Sequence, residues 1–460
     1  MNTYDLCVIG AGSGGLVAAT TGHRLGLKTV LLERNKIGGE CTHSGCVPSK
    51  TIIHSSKQFH AMKQAERYGL PHLNVEESFQ FEAVMEHVDR VVQSIYANEQ
   101  PETFQAMGID VIVHPSGAQF LSEKRIRIGD EALEAAHTII CTGSSPVMVA
   151  PKGHESVDFL NNDNFWELRH QPRSITFIGG GIISAELGQV MRRFGSEVHI
   201  IEHNPRILKV VDDDVAHAII DVFEQEGIQL YPGTEVSACE KTERGVVLVS
   251  LVGPDGPKEF ETEALFMAAG RVPNVQGMQL EKSGVGYDRR GIKVNDYLQT
   301  SAPNIYACGD ATSPEKFTHV ASYQADICVH NILHGNSRTN DLEVLPWAIF
   351  TDPEIAHVGL SEREARAKLD GVQVLRVDAT LDRYVTEVKT TGFIKIILDE
   401  QDRILGADAI GAHSGEWIQL ISMALKTQMP IQAFADTIVA YPTFSEIVKK
   451  AFVRHLRTRS

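Results

Sequence analysis

The sequence has little that would direct the chain to a nucleic acid, a membrane or an oxidising compartment. Its 43 Lys and Arg residues are outnumbered by 59 Asp and Glu, and a net charge of −16 disfavours binding to a phosphate backbone. No uncharged apolar stretch approaches the ~18 residues that a membrane span needs. Seven cysteines in 460 residues are an odd and sparse set, unlike the disulfide framework of a secreted protein. We therefore expect a cytoplasmic protein with no nucleic-acid partner and no membrane span.

Two stretches of the chain match each other. Residues 4–33 and 174–202 each contain an apolar run, a glycine cluster, an amphipathic segment, a second apolar run and an acid. Gly10 precedes Glu33 by 23 positions, and Gly179 precedes Glu202 by the same 23. One glycine fingerprint is a weak signal, whereas two copies with one acid spacing indicate two dinucleotide-binding folds. The simpler alternative is that one copy is only a tight turn in an ordinary parallel sheet.

The glycines and acids suit the chemistry of dinucleotide binding. Glycine lets a strand turn sharply into a helix and lets the backbone approach a pyrophosphate, which the helix N-terminus then attracts. The acid that follows accepts hydrogen bonds from the ribose hydroxyls. Two such folds suggest two dinucleotides, such as FAD and NAD(P)H. The small residues that fill these positions are Gly10, Gly12 and Gly15 in the first copy and Gly179, Gly181 and Ser184 in the second.

The acid of the second copy bears on the choice between NADH and NADPH. A carboxylate at Glu202 would repel a 2′-phosphate and therefore favours NADH. His203 and Arg206 follow closely and keep NADPH open as an alternative.

Cys41 and Cys46 lie just after the first glycine fold, with four residues between them. Two cysteines at this spacing close a small disulfide ring if the segment begins a helix. A helix start and the nearby Lys50 would favour a thiolate. The pattern therefore predicts a redox-active pair, against the alternative of two buried structural cysteines.

The cysteine segment resembles the active-site motif of the flavoprotein disulfide reductases, which include lipoamide dehydrogenase, glutathione reductase and mercuric reductase. Further segments similar to this family are spread over nearly the whole chain, at residues 141–144, 270–274, 300–310 and 350–354. The resemblance implies an α/β fold with two doubly wound, Rossmann-like nucleotide-binding domains and a C-terminal α+β dimerisation domain. The expected boundaries are 1–147 with 273–339 for the FAD domain, 148–272 for the NAD(P) domain, and 340–460 for the dimerisation domain. It also implies a homodimer whose active sites take residues from both subunits.

The resemblance assigns roles to single residues. Cys46 is expected to be the thiol nearer the flavin, and Cys41 the thiol that attacks substrate. Lys50 is expected near flavin N5, paired with Glu186, for which a solvated helix position is the alternative. Asp310 is expected at FAD, although a turn carboxylate that caps the next segment is also open. No metal-ligand set is predicted. The expected cofactor contacts are Gly10, Gly12, Gly15, Glu33, Thr142, Gly143 and Asp310 for FAD, and Gly179, Gly181, Glu202 and Gly270 for the pyridine nucleotide.

One position departs from the family pattern near the C-terminus. Members that handle dithiols carry His-Pro-Thr-x-x-Glu there, and the His and Glu of the partner subunit shuttle the substrate proton. Here Tyr441 replaces the His, while Pro442, Thr443 and Glu446 are in place. A free phenol has a pKa of ~10 against ~6.5 for imidazole, so Tyr441 is a poor general base. Glu446 is equally well explained as part of a helix capping box with Thr443.

A tyrosine at this place resembles mercuric reductase, but this chain has no cysteine after Cys328, whereas mercuric reductases deliver the metal through a C-terminal pair. His43, between the two redox cysteines, is interpreted as a helix-start residue that makes a hydrogen bond, with a local base for Cys41 as the alternative. Cys141 and Cys308 lie at the ends of apolar strands and are interpreted, like Cys7, as small buried hydrophobes.

Together these features predict an FAD-dependent NAD(P)H oxidoreductase. Its predicted Cys41–Cys46 disulfide exchanges electrons with a disulfide or dithiol substrate, as in dihydrolipoamide dehydrogenase. The alternatives are a metal reductase like mercuric reductase, an NADH:quinone or oxygen reductase, and a redox sensor without enzymatic activity.

Overall fold

The computed structural model describes residues 2–312 and 314–459. The first part of the chain forms strands β1 (Asn2–Ile9), β2 (Thr29–Glu33), β3 (Asp110–Val113), β4 (Ala118–Phe120), β5 (Arg125–Ile128), β6 (Glu131–Ile140) and β7 (Ser144–Pro146), and helices α1 (Ser13–Arg24), α2 (Gly39–His43), α3 (Cys46–Lys63), α4 (Phe81–Tyr96) and α5 (Pro101–Ala106). The middle part forms strands β8 (Ser174–Ile178), β9 (Glu197–Glu202), β10 (Gln229–Pro232), β11 (Glu235–Lys241), β12 (Val247–Gly253), β13 (Gly256–Thr262), β14 (Ala264–Met267) and β15 (Arg271–Pro273), and helices α6 (Ile182–Phe194) and α7 (Asp213–Gln225).

The remaining elements follow in chain order. They are strands β16 (Tyr287–Asp288), β17 (Gly291–Ile292), β18 (Ile305–Ala307), β19 (Trp347–Ile349), β20 (Glu354–Gly359), β21 (Gln373–Asp378), β22 (Phe393–Leu398) and β23 (Ile404–Gly411), and helices α8 (Thr318–His334), α9 (Glu362–Lys368), α10 (Asp382–Thr386), α11 (Ser414–Trp417), α12 (Gln419–Lys426), α13 (Ile431–Asp436) and α14 (Glu446–Arg459).

The first sheet has the strand order β3-β2-β1-β6-β5-β4, and β18 from much later in the chain pairs with β6. The pairs formed by β1, β2, β3, β6 and β18 are parallel. Residues Leu6–Ile9 of β1 are buried as a continuous apolar run, which is expected of a strand covered on both faces. The carboxyl ends of β1, β6 and β18 therefore meet at one edge of this sheet.

The second sheet repeats the design of the first. Its order is β10-β9-β8-β14, and all of its strand pairs are parallel. Strands β11, β12 and β13 form a separate antiparallel sheet. The chain enters this middle region through β7 and leaves it through β15, and these two strands pair antiparallel. The pairing places the two crossings side by side.

The C-terminal region is a five-stranded antiparallel sheet, β19-β20-β23-β22-β21, with short helices on it. Two buried ion pairs join it to the second nucleotide fold. Lys395 of β22 lies 2.9 Å from Asp212 at the start of α7, and Arg193 of α6 lies 2.9 Å from Asp352. The predicted fold class, two parallel-sheet nucleotide folds and a C-terminal α+β region, is confirmed. The residue boundaries of the three domains stay a prediction.

Helix α3, which begins at Cys46, connects the two nucleotide folds. Its buried residues Ile52 and Phe59 belong to the same apolar cluster as Phe194 of α6. This packing holds the start of α3 against the second fold and determines where the cysteines lie. Among the described residues, no helix combines the length and apolar character needed to cross a membrane.

Candidate functional site

The two glycine turns have the same geometry. Gly10 and Gly179 both have positive φ, 97° and 107°, and a Cβ at either would lie within 2.5 Å of a carbonyl oxygen on the neighbouring strand. A Cβ at Gly15 would lie 1.8 Å from the carbonyl oxygen of Gly10. In the second copy Ser184 takes that place, and its hydroxyl donates to the Gly179 carbonyl at 2.5 Å. Each turn therefore needs its glycine for a steric reason.

Both turns leave the following helix ready to bind an anion. Gly12 precedes α1 and Gly181 precedes α6, and within the described residues no side chain caps either helix and no acid lies in either first turn. Free N–H groups and the partial positive charge of a helix N-terminus suit a pyrophosphate. The residues present thus fit the phosphates of two dinucleotides.

The acids at the ends of β2 and β9 are also held alike. The Glu33 carboxylate accepts the backbone N–H of Ala11 at 2.7 Å, and the Glu202 carboxylate accepts that of Gly180 at 2.7 Å. The interaction fixes each carboxylate beside its glycine turn, where a ribose would lie in this type of fold.

The second fold opens into a cleft of about 920 Å³. Gly179, Gly181, Glu202 and Gly270 all line it, as does His357 from the C-terminal sheet. A Cβ at Gly181 or Gly270 would meet none of the described atoms within 4 Å, so the backbone is accessible at both places. The four residues expected at the pyridine nucleotide are therefore brought together in one cavity.

Arg206, which the sequence left open as a contact for the 2′-phosphate of NADPH, binds other groups. Its Nε donates to Asp213 at 2.9 Å, and its other nitrogens donate to the backbone carbonyls of Ile207, Leu208 and Val211. His203 instead lies 2.9 Å from the Glu202 carboxylate. The guanidinium is thus occupied within its own loop.

The residues expected at FAD surround the edge where β1, β6 and β18 end. Thr142 donates to the carbonyl oxygen of Asn274 at 2.7 Å. Ser144, in the segment that follows β6, donates to the carboxylate of Asp310, in the segment that follows β18, at 2.6 Å. Gly143 has a positive φ of 67°, with open space where a Cβ would be. Thr142, Gly143 and Asp310 therefore lie on the same side of the sheet as the first glycine turn, and the arrangement fits FAD.

Arg271 links this edge to the cysteine segment. It forms an ion pair with Glu40, donates to Ser144 at 2.8 Å, and lies 3.9 Å from Asp310. Burial raises the pKa of Glu40 to about 7, while Arg271 opposes that rise. The sequence indicated Arg271 only as part of the segment that ends the NAD(P) fold.

Cys41 and Cys46 lie next to each other at the junction of α2 and α3. A hydrogen bond from the Cys41 thiol lowers the pKa of Cys46 to about 6, although burial opposes this shift. Thr318 and Lys50 lower the pKa of Cys46 further, and the Thr318 hydroxyl is 3.3 Å from its sulfur. The same hydrogen bond and burial raise the pKa of Cys41. Of the two thiols, Cys46 is therefore the one that ionises at the lower pH.

Lys50 and Glu186 are brought together one turn along α3. Lys50 Nζ lies 2.9 Å from Glu186 Oε2, and Glu186 Oε1 accepts the backbone N–H of Phe350 at 2.8 Å. Glu186 is 5% exposed, so it is not a solvated helix residue. Lys50 also lies over the ring of Phe350, 4.5 Å from its centre. The carboxylate thus connects the cysteine helix, the second fold and the C-terminal region.

Tyr441 and Glu446 are close in sequence but have different partners. The Tyr441 hydroxyl donates to the carboxylate of Asp382, and this hydrogen bond raises the pKa of Tyr441. Glu446 Oε2 accepts the backbone N–H of Thr443 at 3.0 Å, which is one of the two hydrogen bonds of a capping box. Tyr441 is 70% exposed.

His43 lies between the two cysteines in sequence, and its ring contacts Ile37 and Tyr96. Its Nε2 lies 2.7 Å from the carbonyl oxygen of Ile37, and its ring packs edge-on against Tyr96. Nε2 therefore carries a proton and donates to that carbonyl.

Three residues that contact the predicted site residues were not predicted from the sequence. Thr318 contacts Cys46 across 272 positions, Phe350 contacts Lys50 and Glu186, and Asp382 contacts Tyr441 across 59 positions. Thr318 begins α8, but nothing in its local sequence indicated a contact with Cys46. Nothing in the local pattern around Asp382 indicated its partner.

Comparison with known proteins agrees with this geometry. The family model described as pyridine nucleotide-disulphide oxidoreductase matches residues 4–325, and the dimerisation domain of the same family matches residues 345–452. A dihydrolipoyl dehydrogenase from Thermus scotoductus is 33% identical over 98% of this chain and 97% of its own length. A mercuric reductase from Lysinibacillus sphaericus is 30% identical over 98% of this chain and 82% of its own length.

Solved structures give the same result. The HOCl-induced flavoprotein disulfide reductase RclA from Escherichia coli matches 98% of this chain and 99% of its own, with 25% identity and a TM-score of 0.87. A Cu(II) complex of RclA matches with 26% identity and a TM-score of 0.87. Two glycine turns with their acids, a paired Cys41 and Cys46, and two family models that together span most of the sequence lead to one conclusion: the chain belongs to the pyridine nucleotide-disulphide oxidoreductases, whose cofactors are FAD and NAD(P)H.

Proposed function

We propose that the chain exchanges electrons between NADH and a disulfide or dithiol substrate through Cys41 and Cys46, and that it works towards disulfide reduction. The observation that carries the proposal is the contact between the two thiols, which lowers the pKa of Cys46 to about 6. A thiolate is the reactive form of cysteine, so a stabilised thiolate beside a second thiol suits disulfide exchange.

The chain's own residues would divide the work as follows. FAD, when bound, supplies the two-electron relay between a pyridine nucleotide and a thiol pair. The Cys46 thiolate takes the proton of Cys41, and Cys41 attacks the substrate disulfide and releases one substrate thiolate, which takes that proton from Cys46. Cys46, again a thiolate, then attacks the Cys41 sulfur and releases the second substrate thiolate, which takes a proton from water. The Cys41–Cys46 disulfide results. Lys50, held by Glu186 at 2.9 Å, keeps a positive charge beside the Cys46 thiolate.

The proposed direction, disulfide reduction rather than dithiol oxidation, follows from Tyr441. Oxidation of a dithiol needs a base that removes thiol protons, and a phenol with a raised pKa is a poor base. Reduction of a disulfide needs a hydrogen-bond donor for the departing thiolate, and a protonated phenol supplies one. We therefore propose that, in the substrate complex, the single O–H of Tyr441 turns from Asp382 to the leaving sulfur.

We further propose that the protein is a homodimer and that Tyr441 acts on the partner subunit. Tyr441 lies within the segment matched by the family's dimerisation domain and is 70% exposed. Ile438, three positions earlier, is 95% exposed, so this segment presents two large side chains that a partner subunit would cover.

The preference for NADH is proposed from Glu202. Its buried carboxylate lies where it would meet a 2′-phosphate, and Arg206 is occupied by Asp213 and backbone carbonyls. A cation that would neutralise the added phosphate is therefore not offered by that side chain. A cytoplasmic location stays a prediction.

The test is NADH consumption by the FAD-loaded protein with lipoamide and with other small disulfides. Cys41→Ser should abolish disulfide reduction, because the attacking thiol is gone, whereas Cys239→Ser, a buried cysteine of the second fold, should not. Disulfide reduction that persists in Cys41→Ser would refute the thiol route and favour direct transfer to a quinone or oxygen.

A second acceptor class is favoured by a specific observation. Transfer to a soft metal ion needs no proton shuttle, and Tyr441 is bound to Asp382 rather than to Glu446. Relatives include mercuric reductases, and RclA has been solved as a Cu(II) complex. Thiolates suit soft metal ions. Turnover with Hg(II) or Cu(II) but not with any disulfide, lost in Cys41→Ser, would assign the chain to this class.

A further inference from the structure

Cys141 and Cys308 end two neighbouring parallel strands at the same level. Strands β6 and β18 pair with Ile140 opposite Ala307, so the next residue on each is a cysteine. Neighbouring strands lie about 4.8 Å apart, within the Cα separation that a disulfide spans. The two sulfurs are 3.3 Å apart, although the residues are 167 positions apart in sequence.

The pair differs from an isolated buried cysteine. Cys308 is 1% exposed and Cys141 is half-buried, their sulfurs contact each other, and the Cys308 sulfur also contacts the thiol of Cys328. Thiol hydrogen bonds from Cys141 and Cys328 lower the pKa of Cys308, against burial that raises it. By contrast, burial alone raises the pKa of Cys7. The interpretation of Cys141 and Cys308 as small hydrophobes therefore leaves the sulfur contact unexplained.

Gly14 leaves space for this pair because it has no side chain. A Cβ at Gly14, in the first turn of α1, would lie 3.2 Å from the Cys308 sulfur and 3.2 Å from the carbonyl oxygen of Ala321. Contacts this close are rarely tolerated, so glycine at this position keeps α1 close without displacing the sulfur.

The pair also lies directly beside residues expected at FAD. Cys141 precedes Thr142 and Gly143, and Cys308 precedes Gly309 and Asp310. The Ser144–Asp310 hydrogen bond of 2.6 Å crosses the same gap three positions from Cys141. A covalent link between the two strands would fix the separation of the segments that hold the cofactor.

From these contacts we infer that Cys141 and Cys308 are a second dithiol–disulfide couple, which small peroxides oxidise and which alters how the protein holds FAD. In the first step one thiol is oxidised by the peroxide to a sulfenic acid, with release of water or alcohol. In the second step the other thiol attacks that sulfur, the S–S bond forms and a water leaves. The two thiols lose two electrons, and the peroxide O–O bond accepts them. The sulfurs must approach from 3.3 Å to about 2.05 Å.

The test uses the FAD-loaded, prereduced protein treated with hydrogen peroxide, then denatured in a thiol-blocking reagent and digested with trypsin without reduction. Cys141 lies in the tryptic peptide 128–152 and Cys308 in the peptide 294–316, each with one cysteine, so a disulfide between them gives one linked mass. The linked peptide should appear with peroxide and disappear on treatment with dithiothreitol. Recovery of both peptides with blocked thiols, or as separate over-oxidised peptides, would overturn the inference.

Variants separate this couple from general oxidation. Cys239→Ala, which removes another buried cysteine, should keep the linked peptide, whereas Cys141→Ala and Cys308→Ala should each lose it. Peroxide should change the FAD dissociation rate of the parent protein about fivefold or more and leave that of Cys141→Ala unchanged. If both proteins respond equally, the proposed effect on FAD is wrong. The linked peptide does not depend on the acceptor used at Cys41, so failure here leaves the proposed function intact.

Discussion

Tyr441 donates its hydroxyl hydrogen bond to Asp382, while Glu446, five positions later, accepts the backbone N–H of Thr443. Glu446, the acid that the family motif pairs with a histidine, thus caps α14 here. Asp382, a different acid, accepts the hydrogen bond of the residue at 441. This rearrangement removes a base and leaves a phenol whose single O–H is donated to Asp382.

Tyr441→His should restore a base and raise dihydrolipoamide oxidation. An imidazole with a pKa near 6.5 accepts a thiol proton at neutral pH, and general base catalysis contributes on the order of 100-fold or more. The measurement is NAD⁺ reduction by dihydrolipoamide between pH 6 and 9. The matched control is Tyr441→Phe, which adds no base and should stay as slow as the parent in this direction. An equal rate for the histidine and phenylalanine variants would show that residue 441 does not limit the oxidation.

Asp382→Asn should bring the pKa of Tyr441 down towards its ordinary value. The carboxylate accepts the phenol hydrogen bond and disfavours the phenolate, so its removal lets the phenol ionise at a lower pH. Ultraviolet difference titration of phenolate absorbance, with Tyr441→Phe subtracted, isolates this one tyrosine. If the titration of Tyr441 does not move, the contact with Asp382 has no electrostatic effect.

The reactivity of Cys46 should appear at an unusually low pH. With a pKa of about 6, the reduced thiol is mainly thiolate at pH 7, and the thiolate is lost as the pH falls through 6. Alkylation of reduced protein by iodoacetamide, localised to Cys46 within the tryptic peptide 37–50, or 37–57 where Lys50 is replaced, gives the midpoint. Lys50→Met should raise that midpoint, because the positive charge beside the thiolate is gone. Lys57→Met, seven positions further along α3, is the control and should leave it unchanged.

Lys50→Met should also destabilise the protein, because it leaves the buried Glu186 carboxylate without its cation. Loss of one partner from a fully buried pair costs several kcal/mol, and partial exposure of Lys50 reduces this to about 1–3 kcal/mol. The melting temperature should fall, and the double variant with Glu186→Gln should recover much of the loss. A double variant no more stable than Lys50→Met would contradict the pairing.

Glu202→Ala should weaken the preference for NADH over NADPH. The carboxylate that would repel a 2′-phosphate is removed, so the ratio of the two KM values should change about tenfold. Arg206→Ala serves as the comparison, since its guanidinium is occupied by Asp213 and should contribute little to the choice. A parent protein that already prefers NADPH would refute the assignment of Glu202.

Both nucleotide folds were predictable from the sequence because their determinants are local. A glycine turn, a helix start and an acid 23 positions later are read along one segment, and the structure gives the two copies the same backbone and the same carboxylate contacts. The contact between Cys41 and Cys46 was predictable for the same reason, since only four residues separate them.

The contacts that decide specificity were not predictable because they are long-range. Thr318 reaches Cys46, Asp382 reaches Tyr441 and Cys141 reaches Cys308 only after separate strands and helices have packed. Each of these residues has an ordinary local environment in the sequence. The tyrosine at 441 signalled that a base was missing, but its new partner lies on α10, an element with no motif of its own.

The carboxylate of Glu186 joins three parts of the chain. One carboxylate belongs to the second nucleotide fold, pairs with Lys50 from the cysteine helix and accepts the N–H of Phe350 from the C-terminal region. If one of these segments were replaced by that of a relative, the new segment would have to keep the contact among Glu186, Lys50 and Phe350. These residues come from three separate parts of the chain, so no single domain carries the whole contact. Chimaeras of this protein should therefore be designed around the contact rather than around the folds, with all three segments taken from the same parent.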